Sequence, residues 1–356
     1  MATGQNHGSP TSPAPAGHSV PLLVIAFAAA VAILWFGRAV FEPLAFAIFI
    51  IVLTAPFMRR LQPTIGKGLA LILTVLLTLA VLLAFFGILG WGISRVAQWT
   101  VANLGRFEAV WRELDAMLAA SHMPLATMML DRFDPRWILG PVATLLEQFR
   151  LVSGFALLVF VFVVLGLTEL EGMGRRLKRI EAERPSLRIS EVISDITNKF
   201  GLYMRVRLVM SLIDGALCYL FFRLIGLEEP LALAILTATL NFIPFIGPLI
   251  FAVIIGFFAA AQFGTIWMVL LAVGGSTAIN FTLGSYIEPL MAGSALSMSA
   301  VVVLFSVFFW AIIWGIPGAF IGVQIMIVVL AVLRVMPSAS WIPELFSGAG
   351  AEKRQG

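Results

Sequence analysis

The stretch Pro230–Ile287 reads PLALAILTATLNFIPFIGPLIFAVIIGFFAAAQFGTIWMVLLAVGGSTAINFTLGSYI, 58 residues without one charged side chain. A helix that rises about 1.5 Å per residue needs roughly 20 apolar residues to cross a hydrocarbon layer. The run is long enough for two such crossings and a tight turn near Gly264. Within it, Asn241-Phe-Ile-Pro244-Phe-Ile-Gly247-Pro248 places helix breakers where a continuous helix would otherwise run.

Working outward, the rest of the chain has the same character. Of its 356 residues 60% are hydrophobic and 12% are charged, and the mean hydropathy is +1.02. Soluble domains carry about a quarter charged residues, so a soluble chain is excluded. Disorder is excluded as well, because it requires low hydrophobicity and high net charge. The single cysteine, Cys218, leaves no disulfide framework and no thiolate metal site. The three histidines, His7, His18 and His122, offer little for metal binding or catalysis. Neither a metal nor a cofactor is expected. The composition leaves a polytopic integral membrane protein, and apolar runs of about 20 residues read as membrane helices, an all-α fold.

Residues 1–19 read as a disordered tail. No Lys or Arg precedes the first apolar run, so that run is expected to be a retained span and not a cleaved signal peptide. Residues 20–93 hold three membrane helices (Val20–Gly37, Pro43–Met58 and Gly68–Ile93). Residues 94–150 balance six Arg against six acidic residues among Trp99, Phe107, Trp111, Phe133 and Trp137, and predict an amphipathic external insertion. Leu151–Thr168 is the fourth span. A basic segment, 169–207, comes next with the cluster Arg175, Arg176, Lys178 and Arg179, suited to anionic lipid head groups and not to nucleic acid. A transport core is expected over 208–335 and a tail over 336–356. Loops 59–67 and 169–207 each carry three more basic than acidic residues, which places them and the N-terminus in the cytoplasm. Counting 231–262 and 299–334 as one broken crossing each gives about eight spans; a re-entrant hairpin in either would change that number.

The second break reads Trp314-Gly315-Ile-Pro317-Gly318-Ala-Phe-Ile-Gly322, and repeats the Ile-Pro and Ile-Gly pattern of the first 73 positions later. Irregular backbone is tolerated in hydrocarbon only where protein or a wet cavity satisfies it. Paired broken helices therefore point to a transport site built around Pro244, Gly247, Pro248, Gly315, Pro317 and Gly318, against the simpler reading of packing kinks. Asp214 is the only acid well inside an apolar run, a costly placement that is often functional, although Arg205 or Arg207 lies close enough in sequence to pair with it. Asn241 suits a helix cap or a solute contact. Asn280 and Gln324 suit hydrogen bonds between helices, and Glu288-Pro289 suits a solvated helix end.

These residues resemble the AI-2E family of transporters, the autoinducer-2 exporter family. The resemblance rests on Asn241–Pro248, on Tyr286-Ile-Glu-Pro-Leu-Met-Ala-Gly293, and on Val301-Val-Val-Leu-Phe-Ser with Phe309-Trp310 leading to Gly315-x-Pro317-Gly318. It implies an inner-membrane protein that exports small solutes, autoinducer-2 in some members, with sodium/proton exchange in others. It also implies a homo-oligomer, with a pentamer as one option. Ala300 and Val323-Gln324 depart from the family pattern, which often has proline at these places.

The function expected is secondary export of a small polar solute, such as the quorum-sensing signal autoinducer-2, coupled to H+ or Na+. A cation/proton antiporter and a passive oligomeric channel are the alternatives. Enzymatic chemistry is not expected, since no span holds a His/Cys pair, and no Walker A motif supports ATP drive.

Overall fold

The computed structural model describes residues 19–110, 112, 139–183, 189–292, 298–335 and 341–346. Tail residues 1–18, the centre of the expected insertion, and residues 336–340 and 347–356 lie outside these. The described chain is helical: α1 (Ser19–Phe36), α2 (Arg38–Ile65), α3 (Lys67–Ala102), α4 (Leu139–Glu183), α5 (Ile189–Leu224), α6 (Pro230–Leu240), α7 (Ile246–Phe263), α8 (Ile266–Thr282), a π turn (Leu283–Ile287), α9 (Glu288–Ala292), α10 (Ala300–Val335) and α11 (Trp341–Leu345). By length and composition alone five helices are long and apolar enough to cross a membrane: α2, α3, α7, α8 with its π turn, and α10, the last only if it ran straight. Helix α4, bent by 52° between Gly154–Leu170 and Gly172–Glu183, makes a sixth. Leu69, Ile72, Leu76 and Leu83 of α3 are all more than half exposed, an apolar stripe suited to a membrane. The all-helical, polytopic membrane fold is as expected from the sequence.

Two ends of the bundle are fixed by turns and ion pairs. Gly66, in the left-handed region at φ 80°, reverses the chain between α2 and α3 at what we term the basic end, beside Arg59, Arg60 and Lys67. Helix α3 carries Arg95 and Trp99 to the opposite end. There Arg95 pairs with Glu229, while Trp99 Nε1 donates to Glu228 and stacks on Phe258 at 3.8 Å. Trp99 and Phe107, expected on an amphipathic surface element, are instead buried in the cluster built by Phe222, Leu233, Phe251 and Phe258. Helix α4 runs without interruption through the boundaries expected at 150 and 168, because its apolar centre extends directly into charged turns. It packs Val159, Val163 and Leu167 against Ala47, Met58 and Ala70 of α2 and α3.

The two breaks are hairpins, and this corrects the reading of each as one broken crossing. Gln262, at the end of α7, accepts from the Glu228 amide (2.9 Å) and donates to the Gly226 carbonyl (2.8 Å). Both ends of 230–263 therefore sit at the opposite end, with the tip at Asn241–Phe245 inside the bundle. In α10, a Cβ added at Gly322 would stand 2.8 Å from the Ser306 carbonyl, and one at Gly318 would stand 2.0 Å from that of Trp310. A straight helix would separate each pair by more than about 10 Å, so the chain reverses at Gly315, whose φ of 68° and ψ of −143° are non-helical. Its arms bury Val307 with Ala319 and Val323. Ser299 donates its amide to Phe346, which keeps the base of this hairpin beside α11.

The hairpins enter from opposite ends and pass one another. The tip of the first brings Ile243 against Phe200, Tyr203 and Val323, and Phe242 stacks on Phe320 at 5.2 Å. The tip of the second lies beside the α1–α2 joint, where Trp314 Nε1 donates to the Leu34 carbonyl at 3.1 Å. Helix α5 with hairpin 230–263, and helices α8–α9 with hairpin 300–335, thus form two units of inverted direction. Asp214 stands 30 residues before Pro244, and Glu288 stands 29 before Pro317.

Candidate functional site

Helix α5 carries Arg207, Ser211, Asp214 and Cys218 at spacings of four, three and four, which place them along one face. That face is turned inward. Asp214 is fully buried, and Arg207 and Ser211 are almost so. A buried charge needs a partner, and the two charges find different ones. Asp214 Oδ2 accepts from Thr237 Oγ1 of the first hairpin at 3.0 Å, and Cys218 Sγ lies 3.7 Å from Oδ1. Arg207 instead grips Glu288 through Nη1, at 2.8 and 2.7 Å from the two carboxylate oxygens. Of the two readings of Asp214, the one in which Arg205 or Arg207 hydrogen-bonds it is not what the structure shows. Glu288 takes the guanidinium, so among the described residues Asp214 has hydroxyl and thiol neighbours and no cation in hydrogen-bond contact. Glu288 was expected to be solvated, yet its side chain is only 19% exposed.

The π turn that precedes Glu288 explains its aim. The Glu288 amide reaches back five residues to the Leu283 carbonyl, which inserts one extra residue into the helix and rotates the turns after it. Nothing in the sequence marks this turn, and the Arg207–Glu288 pair was missed with it. Two buried polar atoms on this face, Arg207 Nε and Ser211 Oγ, have no hydrogen-bond partner among the described residues. Buried donors of this kind are usually satisfied. Here they are two unpartnered polar atoms on the inward face of α5.

The other candidate residues sit mostly at the hairpin tips. Asn241 ends α6, its amide bonded to Thr237, and its side chain makes no hydrogen bond among the described residues. At Pro244–Phe245–Ile246 the Ile246 amide bonds the Pro244 carbonyl at 2.7 Å, and Phe245 sits at φ 63°, ψ −47°. This is the strained γ-turn of positive φ. Gly247 is required next to it, because an added Cβ would lie 1.8 Å from the Leu240 carbonyl. Pro248 is the third residue of α7, where its missing amide is not needed. Asn280, expected to bond between helices, bonds within its own, from Nδ2 to Ser276. Gln324, expected to do the same, is buried with its amide beside the Phe320 and Ile321 carbonyls of its own helix, which it bonds when the amide is turned to face them with its nitrogen. Pro289 is the second residue of α9. Gly315, Pro317 and Gly318 form the tip of the second hairpin, next to the α1–α2 joint. No group of three or more His, Cys, Asp or Glu able to hold a metal ion occurs among the described residues.

A bundle of membrane-length helices, two opposed hairpins and a buried polar face between them define a membrane transporter. Comparison with known proteins gives the family: the AI-2E family transporter model matches residues 23–338, and the chain belongs to that family. It is therefore a transporter and not an enzyme. Over 325 residues it is 23% identical to the AI-2 transport protein TqsA of Escherichia coli, covering 89% of this chain and 92% of that one. It is 26% identical to YrrI of Bacillus subtilis, a candidate transport protein, over 84% of this chain and 86% of that one. A candidate transport protein of Borreliella burgdorferi is 27% identical over 56% of this chain and 55% of its own length.

Proposed function

We propose that this protein is a secondary transporter that exports a small polar solute, by alternating access around its two opposed hairpins. The observation that carries this reading is the buried face Arg207–Ser211–Asp214, closed by Glu288 on one side and by Thr237 of the first hairpin on the other. Moving one hairpin alters the shell around Asp214, because Thr237 travels with it. A solute with hydroxyl or carbonyl oxygens suits the unpartnered donors Arg207 Nε and Ser211 Oγ. The likeness to TqsA, named for AI-2, supports a signal of the autoinducer-2 kind. An inner-membrane location with a cytoplasmic N-terminus, and a homo-oligomer, belong to the same proposal.

A cation/proton antiporter is the second reading, favoured by one observation: Asp214 is buried without a bonded cation among the described residues. Buried acids of this type serve proton and sodium pathways. Reconstitution of the wild type and Asp214→Asn in liposomes under an imposed pH gradient tests both. Loss of pH-driven, saturable flux in the variant is expected; unchanged flux removes Asp214 from the mechanism. A comparison of metabolite efflux between cells with and without the gene identifies the solute.

A further inference from the structure

The bend of α4 opens a cavity of about 440 Å³ between the last turns of α2, the first of α3 and the segment Leu167–Arg176. Its polar lining includes Gln62, Lys67, Glu169, Arg175 and Arg176. Arg175 and Arg176 thus face the Glu169 carboxylate, while Lys67 is already engaged in a contact of its own. Among the described residues no ion pair holds Arg175 or Arg176, whereas Arg179 on the same helix is bonded to Glu183 at 3.4 Å. The volume falls in the range of small-ligand sites, about 300–1,000 Å³.

Position says what kind of anion would arrive. The apolar run of α3 begins at Gly68 and that of α4 ends at Thr168, so the cavity opens where hydrocarbon gives way to charge. Past the bend, Met173 and Ile180, seven residues apart and 49% and 43% exposed, share a face beside Arg175, Arg176, Lys178 and Arg179. An apolar face bordered by basic residues lies in the membrane interface. Glu169 disfavours a dianion, and so selects a singly charged phosphodiester over a phosphate monoester. All lining residues belong to α2, α3 and α4, and none to the hairpins.

We propose that this cavity binds the phosphodiester head group of an acidic phospholipid, which anchors the α2–α3–α4 scaffold at the membrane boundary. The test uses the full-length protein in neutral detergent, titrated with short-chain phosphatidylglycerol, phosphatidylcholine or inorganic phosphate and read by native mass spectrometry. Retention of phosphatidylglycerol alone is expected. The double variant R175Q/R176Q should weaken it about twenty-fivefold, at about fivefold per basic residue, with an unchanged melting temperature in the absence of lipid. The double variant K178Q/R179Q should retain it. Equal retention of phosphatidylcholine, equal loss in K178Q/R179Q, or displacement by inorganic phosphate at matched concentration would each overturn the assignment.

Discussion

At the residue scale, the sharpest feature is Phe245, a bulky side chain held at positive φ in a γ-turn. Such a conformation costs about 1–3 kcal/mol unless the residue is glycine. Phe245→Gly is therefore expected to raise the thermal stability of the detergent-solubilised protein by the order of 1 kcal/mol while altering transport. Gly247→Ala works in the other direction. The methyl group would meet the Leu240 carbonyl, and a loss of more than about 2 kcal/mol is expected by the same thermal assay. At the opposite end of the bundle, the Trp99 indole N–H, and then Arg106, hold Glu228 below the usual carboxylate range. A lowered carboxylate contributes stability above its ordinary value that is lost as pH falls. The melting temperature of the wild type should therefore drop more than that of Glu228→Gln between pH 7 and pH 4. The group is mostly solvated, so the difference will be small.

At the element scale, the broken helices depend on single residues that set their direction. Gly315 has a φ/ψ pair available essentially only to glycine. Gly315→Ala should destabilise the second hairpin by about 1–3 kcal/mol and shift hydrogen exchange in 310–322 before the rest of the bundle. The positions of both breaks were legible in the sequence, because proline and glycine act locally. Their sense was not. Whether a break leads onward or back depends on contacts such as Gln262 with Gly226 and Ser306 with Gly322, which no local pattern encodes. The same holds for the site. Asp214 stood out as an acid within an apolar run. Its partner Thr237 lies on another helix, and the Arg207–Glu288 pair spans 81 residues and depends on an unmarked π turn. Burial of Trp99 and Phe107 was hidden for a related reason: interleaved charge and aromatic residues read as a surface until Glu228 and Glu229 supply partners.

At the scale of the whole molecule, the inverted arrangement makes a topological prediction. Ser299 and Arg334 lie at the base of one hairpin, at the end remote from Thr265. Single cysteines placed at 299 and 334 should be labelled by an impermeant maleimide from the same face of the membrane, and one at 265 from the other; the native Cys218 is buried and does not interfere. Labelling of 299 and 334 from opposite faces would restore a single crossing. Helices α2, α3 and α4 share one core, and the remaining cores tie that scaffold to α5 and the hairpins, through Trp99 of α3 on Phe222 and Phe258, and through Phe41 and Phe49 of α2 on the second hairpin.

The bond from Trp314 to Leu34 joins residues 280 positions apart. Its consequence concerns synthesis. The groove beside the α1–α2 joint that receives the second hairpin is finished early, yet its occupant is among the last segments to leave the ribosome. Until then Phe41 and Phe46, and the tip residue Phe242, wait without the aromatic rings of Trp310 and Phe320 that cover them in the finished protein. Contacts this distant must await the whole chain and repay their closure entropy only at the end. The nascent protein thus spends most of its translation with its central seam open, and a chain stopped short of residue 300 would leave it so.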